Sequence, residues 1–174
     1  MTTVDKFRTL NKPEFNRHAE KVLVDGVNVS VVAGLSEEIV FRWLLFLNAI
    51  WFLKLSNWMF FGWLGFGMVE HLYLWVLAPV ANFFTLGQMS HLFYHQAGWF
   101  VGAAMITANA KFRDGHMYLG FLGFVNSWFI GMYLFWVMFR YGLPAAILVH
   151  FLYDLFIFCV IYVDAAIERS NGNC

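Results

Sequence analysis

The chain has 174 residues and a formal net charge of zero; 61% of its side chains are hydrophobic, 21% aromatic and only 13% charged. A soluble domain is typically about 45–50% apolar and about 25% charged, so the composition excludes an ordinary water-soluble globule and points to a multi-spanning membrane protein. Five of the eleven cations (Lys6, Arg8, Lys12, Arg17 and Lys21) fall in the first 21 residues, mixed with Asp5, Glu14 and Glu20. That mixture excludes a basic nucleic-acid surface.

Residues 1–28 read as a polar segment at the membrane surface. No apolar stretch follows Met1 as in a signal peptide, and the cations place the segment on the cytoplasmic side. Cys159 falls in an apolar run and Cys174 is the last residue, so no disulfide framework is expected.

A span needs about 20 mostly apolar residues, and five stretches qualify: residues 29–53, 58–77, 86–110, 116–139 and 144–163. The charged run "KFRDG" (111–115) separates the third from the fourth. "RYGLP" (140–144) separates the fourth from the fifth, with Pro144 suited to a first helical turn. No stretch alternates as barrel strands do, and backbone groups in lipid must be satisfied locally, so the spans are helices. The expectation is an all-α integral membrane protein: one bundle of about five transmembrane helices over residues 29–164, with a C-terminal tail at 165–174.

Ionisable side chains inside such spans are costly and point to function. Here they are Glu37, Glu38, Arg42, Glu70, His71, His91, His95, His116, His150 and Asp154. Glu38 and Arg42 are four apart and stack on one helical face as an ion pair. Glu37, rotated by about 100°, points elsewhere, so the arginine need not serve both acids. In "HFLYD", His150 and Asp154 also share a face. A carboxylate there fixes the imidazole tautomer for acid–base work or metal ligation, and a plain helix–helix clamp would use the same pair.

Three pieces together resemble the CAAX protease and bacteriocin-processing family of glutamate-type intramembrane endopeptidases. "EEIVFR" (Glu37, Glu38, Arg42) fits the family's Glu-Glu-x-x-x-Arg motif. "FRDGH" (Phe112 to His116) fits Phe-x-x-x-His, and "HFLYD" (His150, Asp154) fits His-x-x-x-Asn/Asp. For the second motif, His71, His91 and His95 lack a phenylalanine at the required spacing, and His116 has Phe112. The first and second motifs stand farther apart than is usual in the family, by one or two spans, and Arg113 and Asp114 occupy positions that are usually small or apolar.

The resemblance implies peptide hydrolysis at the membrane without metal or other cofactor. Glu37 would be the general base, helped by His116. His150, oriented by Asp154, would stand on the oxyanion side. Glu38, Arg42 and Phe112 would support the site. Its partners would be the lipid bilayer and a peptide or protein substrate.

Two other classes compete. One is an inactive, protease-like subunit of a larger membrane complex, its aromatic residues serving as packing surface. The other is a membrane metal oxidoreductase built on "HLFYH" (His91, His95) with Glu70 and His71. Six histidines are few for a di-iron site.

Overall fold

The computed structural model describes residues 12–94 and 98–170. Among them every regular element is helical. Helix α1 (Lys12–Glu37) runs into a π-helix, Glu38–Leu45, and on into α2 (Phe46–Met59). After a 3₁₀ turn, Gly62–Leu64, come α3 (Met68–Leu72), a short π-helix (Tyr73–Leu77) and α4 (Ala78–Phe84). Then follow α5 (Ser90–Phe93), α6 (Trp99–Gly115), a 3₁₀ turn (Met117–Leu119), α7 (Gly120–Tyr141) and α8 (Leu143–Ser170).

Among the described residues three helices are long and apolar enough to cross a bilayer: Val24–Met59, Met117–Tyr141 and Leu143–Val163. They cover the expected first, fourth and fifth spans. The second expected span is interrupted. Phe61 and Gly65 adopt left-handed backbone angles (φ 63° and 82°) and turn the chain, so the helical stretch that follows, Met68–Phe84, falls short of a span. The third is broken as well, because Leu86 and Gly87 also have positive φ and α6 begins only at Trp99. "KFRDG", expected as a break between the third and fourth spans, is instead the helical last turn of α6. An apolar run can therefore exceed the helix it contains when glycines punctuate it.

The chain divides into two compact units, Met1–Ser36 with Ile147–Cys174, and Glu37–Ala146. In the first, α1 approaches α8 through small residues one helical turn apart. A Cβ at Gly26 would lie 3.1 Å from the Phe158 ring, and one at Gly34 would lie 3.2 Å from the Phe151 backbone nitrogen. Between them Ser30 is fully buried and donates to the Gly26 carbonyl at 2.8 Å. Small residues at this spacing let helix backbones come close together.

In the second unit α6 is the central element, packed against α2 and α7. Its run "GAAMITANA" carries Gly102, Ala103, Ala104 and Ala108, all buried, so neighbouring helices come close. Larger side chains from the surrounding elements, Phe46, Tyr73, Phe93 and Phe135, complete the core. Tyr73 buries its hydroxyl by donating to the Phe93 carbonyl at 3.1 Å.

α6 and α7 approach closely at Gly131. A Cβ there would run into Asn109 Oδ1 and lie 2.9 Å from Phe112 Cδ1. Gly131→Ala should therefore lower stability by about 1–3 kcal/mol, the usual cost of overpacking. The measurement is the unfolding midpoint in detergent, with Gly115→Ala as control, since nothing lies within 4 Å of a Cβ there.

Candidate active site

The first motif sits where the helix changes type. Eight residues from Glu38 to Leu45 form a π-helix, a rare local winding found often at functional sites. Arg42 Nη1 lies 3.1 Å from Glu38 Oε1, and both side chains are fully buried. The guanidinium is further held by Gly131, whose carbonyl accepts from Nη2 at 3.4 Å. It also lies over two rings, Phe112 at 4.2 Å and Phe135 at 5.4 Å from their centroids. A planar cation is suited to stacking and carboxylate pairing at once. The expected Glu38–Arg42 pair is present, and its surroundings on α6 and α7 were not visible in the spacing.

Phe112 links this pair to His116. Its ring lies under Arg42, and its carbonyl is 2.8 Å from His116 Nδ1. A carbonyl only accepts, so Nδ1 carries the proton. The other nitrogen, Nε2, faces Glu37 Oε2 at 3.8 Å. The two rings are also close, with centroids 4.6 Å apart, and Phe41 packs edge-on against Phe112 at 5.5 Å. The sequence choice of His116 over the competing histidines therefore brings an imidazole to Glu37.

The gap of 3.8 Å is too long for a direct hydrogen bond. With Nδ1 protonated, neutral imidazole offers a lone pair at Nε2, and the carboxylate also accepts. Such facing acceptors are bridged by a proton on Nε2 or by a water donating to both. The side chains are partly open, 29% for Glu37 and 20% for His116, while Glu37 Oε2 itself is buried. This pair can orient a water and accept its proton.

The third motif lies in the other unit. His150 Nε2 is 3.7 Å from Asp154 Oδ2, with His150 buried and Asp154 a quarter exposed. The i, i+4 pairing read from "HFLYD" is thus formed on α8.

Among the described residues neither His71 nor His91 joins a cluster. His71 Nδ1 lies 2.8 Å from the Gly67 carbonyl within its own turn, and His91 is exposed. His95 lies outside the described residues. Among the described residues no group of three or more His, Cys, Asp or Glu side chains could hold a metal ion.

Two polar features beside the site escaped sequence reading. Asn109, one turn before Phe112 on α6, is fully buried and donates to the Trp128 carbonyl at 3.1 Å. Gly131 is the point where Arg42 and Asn109 both meet α7. Asparagine within an apolar helix was the available signal for the first, and a glycine on α7 gave none. No protein-family model matches the chain, and neither a curated protein nor a solved structure matches it.

Proposed function

We propose that the chain is an intramembrane endopeptidase in which Glu37 and His116 activate water to cleave a peptide bond near the membrane. The observation that carries the proposal is the approach of His116 Nε2 to Glu37 Oε2, with Nδ1 anchored on the Phe112 carbonyl. In this reading a water between them gives a proton to Glu37 as its oxygen attacks the peptide carbonyl. The proton then passes to the leaving nitrogen, and the products are one carboxylate and one amine. In the family that the motifs resemble, the position of His150, paired with Asp154 on α8, serves to stabilise the oxyanion. Arg42 neutralises Glu38 so that the glutamate doublet is not a pair of like charges.

The same proposal places the chain in the membrane as a multi-pass protein of about five spans with a cytoplasmic N-terminus. Residues 58–84 and 86–110 would then enter the bilayer as broken helices, which is tolerated where irregular backbone is covered by protein or lines a cavity. The mechanism needs no metal, since the carboxylate supplies the base and the imidazole a donor.

The test is hydrolysis of membrane-anchored peptides by the purified, reconstituted protein before and after treatment with a strong chelator. Cleavage that survives chelation is the expected result. Loss of cleavage on chelation, restored by zinc, would rule out the metal-free mechanism. A protein that cleaves nothing, and that keeps all its properties in Glu37→Gln while co-purifying with fixed partners, would be a scaffold instead.

A further inference from the structure

The loop between α2 and α3 has the composition of a core and the position of a surface. Residues 55–69 carry no charge, and the segment includes "FFGWLGFG". Yet Trp58, Met59, Phe60, Phe61, Trp63 and Phe66 are each between 51% and 71% exposed.

The loop is nonetheless tightly built. Phe61 holds φ 63°, a left-handed conformation that is strained for a bulky residue. The Phe61 carbonyl accepts from Leu64 at 3.0 Å and from Phe66 at 3.2 Å, and Gly62 accepts from Gly65 at 3.1 Å. Asn57 sits beneath. Its Oδ1 accepts the Glu70 backbone N–H at 3.1 Å, and Gly67 leaves room for that side chain, which a Cβ would meet at 2.7 Å. A loop that holds its shape while turning aromatic side chains outward is built to present them.

What it presents them to follows from the helix below. The long apolar helix Val24–Met59 runs directly into the loop. Lys54, near its end, is exposed, with Nζ over the Phe100 ring at 4.2 Å. A lysine on such a helix marks the level at which an ammonium reaches the lipid headgroups. Trp58 is four residues further on, about 6 Å along the axis. The headgroup zone on each side of the hydrocarbon is about 5–8 Å deep, and tryptophan with other aromatics concentrates there.

We propose that the 58–66 loop is an interfacial anchor, seated in the lipid headgroup region of one leaflet with its aromatic side chains as the contact surface. The partner is the bilayer itself. This inference rests on the membrane reading of the chain and is independent of the protease chemistry.

The experiment places single cysteines at Trp63→Cys and, separately, Phe66→Cys, in a background carrying Cys159→Ser and Cys174→Ser. Each is labelled with an environment-sensitive fluorophore, and the protein is reconstituted in phosphatidylcholine–phosphatidylglycerol vesicles. Quenching by a nitroxide at the fifth acyl carbon should be at least twice that by one at the twelfth, with iodide quenching small. Strong iodide quenching without lipid quenching would overturn the proposal, because the loop would then stand in water. Protection from both quenchers would also overturn it, because a second copy of the chain would then cover the loop.

Discussion

Glu37→Gln should reduce peptide hydrolysis by about 10²–10⁴-fold, the contribution of a positioned general base. The amide keeps the shape of the carboxylate but cannot take a proton from water. Helical content and detergent stability should stay near those of the parent, because Glu37 is partly exposed and the buried ion pair belongs to Glu38. His116→Ala should fall in the same range, and the double variant should be little worse than either single one, since the two act on one water. A double variant showing the full product of both losses would mean that they serve separate steps.

The largest stability effect is expected at Arg42. Arg42→Leu leaves Glu38 fully buried without its cation, and breaking such a pair costs about 3–5 kcal/mol. The guanidinium also spans Glu38, the Gly131 carbonyl and the faces of Phe112 and Phe135, so lysine cannot replace it. A point charge matches neither the stacking nor the fork. The informative comparison is Glu38→Leu with Arg42→Leu together. Replacing a whole buried pair by apolar side chains is often neutral, so the double variant should unfold later than Arg42→Leu alone. Unfolding midpoints in detergent measure both. If the single arginine variant were as stable as the parent, the pair would be solvated and the account of the site's support would be wrong.

Much of the architecture was legible because hydrocarbon imposes simple rules. The long helices at Val24–Met59, Met117–Tyr141 and Leu143–Val163 follow from predominantly apolar runs, the first of which carries Glu37, Glu38 and Arg42 within it. The interrupted stretches were less legible. In 58–77 the sequence reads as one continuous span, whereas Gly65 and the unusual Phe61 turn the backbone. Whether a glycine serves packing or turning depends on its neighbours in space, and a hydropathy count does not hold that information.

The local pairs were legible too. Glu38 with Arg42, and His150 with Asp154, are each one helical turn apart, and periodicity alone places them on one face. The approach of His116 to Glu37 came from motif resemblance, since the two are far apart in the chain. The π-helical winding, the ring stack on Arg42 and the Asn109–Gly131 contact arise only when α6 and α7 pack against that turn. No spacing rule anticipates them.

The most direct measurement is cleavage of a membrane-anchored peptide by the purified protein in water enriched in oxygen-18. The account predicts one labelled oxygen in each new carboxyl terminus, from the parent and not from Glu37→Gln. Peptide cut equally well by both proteins, or no cleavage of any peptide by the parent, would contradict it.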